Sequence, residues 1–153
     1  MEHLFAWMEG TAVATWTRES PSLWAYPTIL ALHSFGLAVV VGGSFAIDAR
    51  LLGRARAIPL KTLQPLFPII WWGFAVNAAS GLLLFMADAT HKSTQPVFGV
   101  KLACIALALV TTIAMARQVR AATDRSEPGA LLPIASIVLW LGAITAGRLM
   151  AYM

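Results

Sequence analysis

The sequence predicts an all-α integral membrane protein, a four-helix bundle with an amino-terminal interfacial amphipathic helix. Of its 153 residues, 59% are hydrophobic and only 12% are charged, about half the charged fraction of a typical soluble domain. The uncharged residues also fall in long runs, at 20–47, 62–87, 102–116 and 128–147. A spanning helix needs about 20 apolar residues, so we expect residues 1–153 to form a single transmembrane domain.

Four spanning helices are predicted, at about 25–48, 66–87, 97–118 and 131–152. Three of the uncharged runs are long enough to cross a bilayer unaided. The run at 102–116 is shorter, so the third helix is expected to begin near Val97 and to include Lys101.

Residues 3–16 are apolar, but this segment is too short and too often interrupted to span a bilayer. Its apolar side chains alternate with acidic residues, which is typical of a helix lying along the membrane surface. The apolar positions are Leu4, Phe5, Trp7, Met8 and Trp16. The alternative is a partly ordered tail.

Basic residues between the runs predict the orientation of the chain. The first and third loops hold seven of the eleven basic residues, Arg50, Arg54, Arg56, Lys61, Arg117, Arg120 and Arg125. Short loops rich in Lys and Arg remain on the cytoplasmic side. We therefore expect a multi-pass protein of the bacterial inner membrane with both termini periplasmic. The net charge of +4 reflects these loops, and no basic polar surface predicts a nucleic-acid partner.

His33 is the first candidate site residue, because an ionisable group at membrane depth is costly and usually functional. It lies about eight residues from the outer end of the first span, or about 12 Å deep. Gly36 and Gly43 follow it at helical spacing. This face would suit a flat macrocycle, with an imidazole ligand above small residues. The alternative is a neutral histidine hydrogen-bonded to another helix.

Four further residues are predicted in the outer half of the bundle with His33. Lys101 and Arg148 lie near helix ends, where they would either extend to the headgroups or neutralise a bound carboxylate. Lys101, when neutral, could also be an axial ligand, and Arg148 could contact a quinone or a lipid phosphate. His91, in the outer loop, is either solvated or a second metal ligand. Met86 is either packing or a thioether ligand. Together they predict a site for an anionic aromatic ligand.

Three polar residues are expected to have structural roles. Asn77, near the middle of the second span, is expected to form hydrogen bonds across helices. Asp48 and Arg50, at the inner end of the first span, are expected to pair with neighbouring polar groups and fix that helix end.

One set of motifs carries a resemblance to a known enzyme family. The set consists of His33, Gly36, Gly43 and Lys101, together with an Arg50–Leu51 pair that falls one residue later than in the family's pattern. They resemble the membrane protoporphyrinogen oxidase of bacterial haem synthesis. That resemblance implies a bundle of four or five helices, a b-type haem, and essential roles for the histidine and the lysine. The copper-resistance membrane proteins of the D type are similar, more weakly, in the first helix.

A second resemblance covers most of the chain. The motifs are Trp24-x-Tyr26-Pro27 before His33, residues 48–53 (DARLLG), Asn77 with Gly81, Phe98 with Lys101, and Gly147–Arg148. They resemble an uncharacterised family of bacterial four-helix inner-membrane proteins. This resemblance implies the four-helix architecture and adds no activity.

The sequence therefore predicts a b-type haem protein that transfers electrons between the quinone pool and a periplasmic redox partner. We expect it to act as a homo-oligomer or as a subunit of a membrane complex, with porphyrin or quinone as ligands. Two alternatives remain, a protoporphyrinogen-oxidase-like enzyme and a non-catalytic subunit of a larger redox or photosynthetic complex. No nucleotide-binding or hydrolase motif is present.

Overall fold

A computed structural model of the chain describes residues 2–22, 24–121, 129–150 and 152. The regular secondary structure of these residues is helical, without a strand among them, and the all-α fold class is confirmed. Arg125 of the third loop lies outside the described residues. The elements are seven α-helices and a 3-10 helix: α1 (Glu2–Glu9), α2 (Ala12–Glu19), α3 (Tyr26–Leu51), the 3-10 helix (Leu60–Leu63), α4 (Leu66–Met86), α5 (Ala89–Thr94), α6 (Pro96–Ala121) and α7 (Leu131–Leu149).

Four of the helices, α3, α4 with the preceding 3-10 helix, α6 and α7, are long and apolar enough to cross a membrane. A proline stands in the first turn of each long helix. These prolines are Pro27, Pro68, Pro96 and Pro133. The first-turn N–H groups have no partner within the helix, so a residue without an N–H is tolerated there and its fixed φ favours the helix.

Helix α3 continues beyond the position predicted from its charges. The sequence predicts an end near residue 48, and the structure ends the helix at Leu51. Gly53 follows with a φ of +79°, and its N–H donates to the carbonyl oxygen of Arg50 at 3.1 Å. A left-handed glycine of this kind ends a helix by satisfying its last carbonyl groups. The glycine therefore sets the helix end, and the charged residues lie inside the helix.

The bundle consists of two helix pairs. Helix α3 packs along α4, α6 packs along α7, and contacts between α3 and α7 join the pairs. The closest approach is between α3 and α4. A Cβ atom built on Gly36 would lie 2.7 Å from the backbone nitrogen of Asn77 and 2.8 Å from the carbonyl oxygen of Gly73. Only glycine allows the two backbones to come this close.

The hydrophobic core lies in one half of the bundle. We call this half the Asp48 end, and the opposite half, where α3 and α6 begin, the His33 end. Every long helix contributes to the core at the Asp48 end, with Ile47, Phe67, Met115 and Trp140 among the largest buried side chains. The interior of the His33 end is lined instead by small residues such as Ser80, Ala143 and Ala146.

The amino-terminal segment forms two short helices where the sequence predicts one over 3–16. The break falls at Gly10 and Thr11, and the Thr11 side chain accepts a hydrogen bond from the Ala14 N–H at 3.3 Å. A threonine at this position begins a new helix by satisfying a free N–H group. Trp7 and Trp16 are 67% and 48% exposed, as expected of a surface in contact with lipid.

These two helices pack against the His33 end. The Phe5 ring meets Phe85 edge to face, and Phe85 stacks on Phe98 with ring centroids 5.0 Å apart. Arg18 donates from Nη1 to the Ala87 carbonyl oxygen at 3.3 Å. The amino-terminal helices therefore contact the last turn of α4 and the segment that follows it.

We expect the contact between α1 and α5 to depend on pH through Glu9. The Glu9 Oε1 atom accepts a hydrogen bond from the Thr90 N–H at 2.6 Å, and this bond lowers the pKa of Glu9. Because the folded pKa is below the ordinary value, the stabilisation is present at neutral pH and is lost as the pH falls through the lowered pKa. The protection of the Thr90 amide against hydrogen exchange, relative to its intrinsic rate at each pH, should therefore fall at acidic pH. In Glu9→Gln this fall in protection should be absent, and an equal response in both proteins would contradict the assignment.

Candidate cofactor site at the His33 end

His33 and Asn77 form a reciprocal hydrogen-bonded pair between α3 and α4. The His33 Nδ1 atom lies 2.9 Å from the backbone carbonyl oxygen of Asn77. The Asn77 side chain donates from Nδ2 to the backbone carbonyl oxygen of His33 at 2.8 Å. The expectation that Asn77 forms hydrogen bonds across helices is confirmed. The close approach at Gly36, one turn below His33, brings the two backbones within reach of these side chains.

The pairing determines which ring nitrogen carries the proton. A backbone carbonyl oxygen can only accept, so the His33 Nδ1 atom donates to Asn77. The Ser80 hydroxyl lies 3.3 Å from the same nitrogen but donates to the Val76 carbonyl oxygen at 2.6 Å. In the neutral ring, Nε2 then keeps its lone pair, and no residue of the described chain forms a hydrogen bond to it. This tautomer is the one that binds metal through Nε2.

Gly81 fits against the edge of the imidazole. A Cβ atom on Gly81 would lie 2.9 Å from Cε1 and 3.2 Å from Nδ1 of His33. This separation is shorter than a carbon–carbon contact allows, so a side chain at position 81 would displace the ring. Gly81 therefore preserves the orientation of His33.

Gly36 and Gly43 have a different role from the one predicted. The sequence suggested an open groove on this face of α3. In the structure the face is covered by α4, since a Cβ atom on Gly43 would lie 2.7 Å from Cγ1 of Ile70 and one on Gly36 would meet the α4 backbone. These two glycines therefore serve the contact between α3 and α4.

Two half-buried lysines supply positive charge at the His33 end. The Lys101 side chain lies along Gly147, where a Cβ atom would be 3.5 Å from Cε and 3.6 Å from Nζ. Lys92 was not among the residues predicted for the site. Its ammonium group donates to the Leu84 carbonyl oxygen at 2.6 Å, and its side chain is 25% exposed. Burial lowers the pKa of Lys92, and nearby Asp88 opposes this shift. Lys101 has no ion pair with a described residue.

The remaining predicted residues lie at the edge of the site. His91 is 59% exposed, with its Nδ1 atom 3.5 Å from Asp88 Oδ2, and no hydrogen bond joins it to His33 in the described part of the chain. Arg148 is exposed at the end of α7, and Met86 is half-buried at the end of α4. Among the described residues no group of three or more His, Cys, Asp or Glu side chains could hold a metal ion.

A separate groove opens at the Asp48 end, with a volume of about 460 Å³. It lies between the beginning of α4 and the end of α6 and is lined by Phe67, Pro68, Trp71, Trp72 and Arg120. The groove is wide open and lacks a polar group suited to catalysis, so we base no functional argument on it.

Comparison with known proteins adds no family assignment, because no family model, curated protein or solved structure matches the chain. The functional argument therefore depends on the chemistry of the site.

Proposed function

We propose that the His33 end binds one b-type haem, with His33 as an axial ligand through Nε2. The hydrogen bond from His33 Nδ1–H to the Asn77 carbonyl oxygen is the observation that carries this proposal. Metal-binding histidines almost always donate their second nitrogen to a carbonyl or carboxylate, which fixes the ring and increases its basicity. Here that partner is already in place, and the other nitrogen has no hydrogen-bond partner among the described residues.

The charges and the lining of the site fit the same ligand. Haem carries two propionates, and Lys101 and Lys92 supply two half-buried cations at the His33 end. Because large buried side chains are concentrated at the Asp48 end, a planar group would meet fewer of them in the interior of the His33 end. Arg148 remains a candidate partner for a propionate or quinone at the surface.

In this proposal a second ligand of the haem iron would come from Met86, Lys101 or His91. Met86 and Lys101 are half-buried, and Lys101 would have to be neutral to bind a metal. His91 would have to leave its contact with Asp88. The three choices differ in optical and magnetic spectra, because thioether, amine and imidazole ligands have different field strengths.

The haem would supply one-electron redox chemistry. The residues of the chain perform the other tasks. Asn77 orients the imidazole, Gly81 leaves space for its edge, and Lys101 and Lys92 neutralise acidic groups. In this proposal the four spans cross a bacterial inner membrane with periplasmic termini, and electrons pass between the quinone pool and a periplasmic partner. A homo-oligomer or a larger membrane complex would complete the pathway.

The test is the absorption spectrum of protein purified from haem-replete cells. We expect a Soret band in the wild type and its loss in His33→Ala, because removal of the axial imidazole abolishes specific binding. His91→Ala is the matched control and should retain the band unless His91 is the second ligand, in which case the band should shift. Absence of the band from the wild type, or an identical band in His33→Ala, would overturn the proposal.

A further inference from the structure

A second buried polar cluster lies at the Asp48 end, between α3 and α7. It consists of Ser44, Asp48, Ser136 and Trp140, which are 0%, 0%, 0% and 2% exposed. Ser44 and Asp48 are four residues apart on α3, and Ser136 and Trp140 are four apart on α7. Residues four apart share one face of a helix, so two helix faces place these side chains together. We call this set the Asp48 cluster.

Only one hydrogen bond within the Asp48 cluster joins two of its side chains. The Ser136 hydroxyl donates to Asp48 Oδ2 at 3.0 Å. Three other buried atoms, Asp48 Oδ1, Ser44 Oγ and Trp140 Nε1, have no partner among the described residues. Because the spans alternate in direction, α3 and α7 run in opposite directions. Ser44 lies one turn before Asp48 and Trp140 lies one turn after Ser136, so both lie on the side of the Asp48–Ser136 hydrogen bond that faces the membrane interior. Buried polar atoms are almost always satisfied, and three unsatisfied atoms in one place indicate a bound species.

No positive charge of the described chain pairs with Asp48. Arg50 on the same helix donates to the Ile58 carbonyl oxygen. In the described part of the neighbouring helices, α4 has no charged residue, the cations near this end of α6 are exposed, and α7 carries its cation at the opposite end. Lys61 of the 3-10 helix is also exposed. No salt bridge joins Asp48 to the cations of the adjacent elements, which are Lys61, Arg117, Arg120 and Arg148.

An ionised carboxylate buried without a cation is strongly unfavourable, and such groups take up a proton instead. A metal cation suits the cluster poorly, because the indole N–H of Trp140 is a donor and cannot be a ligand. A water molecule suits it well, since water can accept from Trp140 and exchange hydrogen bonds with Ser44 and with the free oxygen of Asp48.

We propose that the Asp48 cluster is an intramembrane proton-binding site, in which Asp48 holds a proton and a buried water links it to Ser44 and Trp140. On loading, a hydronium ion transfers its proton to the carboxylate. One O–H bond forms on Asp48, one breaks in the hydronium ion, and water remains. Asp48 is three residues from the end of α3, or about 4.5 Å along the axis, so the nearest water that could supply the proton lies at that face. This inference does not depend on haem binding at the opposite end.

Infrared spectroscopy of the full chain in lipid nanodiscs tests the proton directly. We expect the C=O stretching band of a protonated carboxylic acid at neutral pH in the wild type, with a shift to lower frequency in D2O. The band should vanish in Asp48→Asn and persist in Asp88→Asn, a control at a half-exposed carboxyl outside the spans. Absence of the band from the wild type, or its persistence in Asp48→Asn, would overturn the proposal.

Two further variants keep the test decisive if Asp48→Asn fails to fold. Ser136→Ala removes the hydrogen bond from Ser136 to Asp48 and should move the acid band to higher frequency without abolishing it. An unshifted band would contradict the assignment to Asp48. Trp140→Phe retains most of the ring and removes the N–H group. If the Trp140 N–H is bonded to a buried water, its loss should lower the stability of this variant. Unchanged or higher stability would contradict the bound water.

Sodium and lithium titrations separate a proton site from a cation site. The thermal unfolding of the wild type at fixed pH and ionic strength should be the same in sodium, lithium and choline chloride. If sodium or lithium stabilises the wild type and this effect is lost in Asp48→Asn, the cluster binds a metal cation instead of a proton, and the proposal is overturned.

Discussion

Replacing Gly36 by alanine is expected to separate α3 from α4 and to destabilise the protein by about 1–3 kcal/mol, with a greater loss for valine. The added Cβ atom would lie 2.7 Å from the Asn77 backbone nitrogen and 2.8 Å from the Gly73 carbonyl oxygen. Both obstacles are helical backbone, which cannot rotate away as a side chain can. The helices must therefore move apart along the longest contact of the bundle. Reversible unfolding in mixed detergent micelles measures the effect.

Gly42, in the same helix, is the matched control. A Cβ atom there would meet nothing within 4 Å, and alanine has a helix propensity up to about 1 kcal/mol better than glycine. Gly42→Ala should therefore be neutral or stabilising, whereas Gly36→Ala is destabilising. Equal effects at the two positions would show that contact with α4 does not limit the residue at position 36.

The four long helices could be predicted because each depends on a local property of the sequence. An uncharged run of sufficient length forms a helix in a bilayer whatever its neighbours are. The end of α3 was harder to predict, because Asp48 and Arg50 suggested an earlier boundary while the left-handed Gly53 sets the actual one. A glycine after a helical run is a visible signal for such an end, and it outweighs charge.

His33 could be identified from its depth in the membrane, but its surroundings could not. Whether Gly36 borders a groove or a neighbouring helix depends on the rotation of α3 against α4, which is determined by packing over the whole contact. Asn77 was assigned to interhelical bonding, while its carbonyl contact to the His33 ring depends on the register of the two helices. The position of the Lys92 ammonium group likewise depends on how the segment after α4 folds back, since this group donates to the Leu84 carbonyl oxygen.

The Asp48 cluster shows how much can be predicted about a charge near a helix end. The expected pairing with neighbouring polar groups is confirmed for both residues, since Asp48 accepts a hydrogen bond from Ser136 and Arg50 donates to the Ile58 carbonyl oxygen. The complete burial of Asp48 against α7 could not be predicted. The matching spacing of Ser44 with Asp48 and of Ser136 with Trp140 was the available signal, and it has meaning only once α3 and α7 are known to be neighbours.

Replacing Gly81 by alanine is expected to weaken the proposed binding of haem by about 10–100-fold, the usual cost of losing a hydrogen bond that orients a metal ligand. The new methyl group would lie 2.9 Å from Cε1 of His33. The imidazole can rotate away, so the fold should survive while the bond to the Asn77 carbonyl oxygen is lost. Titration of haem into the apo protein measures the change in Kd.

The ring nitrogens of His33 give a readout that does not require haem. In the wild-type apo protein, the 15N spectrum should show a protonated Nδ1 and an unprotonated Nε2, and Gly81→Ala should populate the other tautomer. Gly99→Ala is the control on α6, since its Cβ atom would meet nothing within 4 Å. If the 15N spectrum were unchanged while haem binding weakened, Gly81 would act on the space available to the haem and not on the orientation of His33. If both were unchanged, the orientation of the His33 ring would not depend on a glycine at position 81.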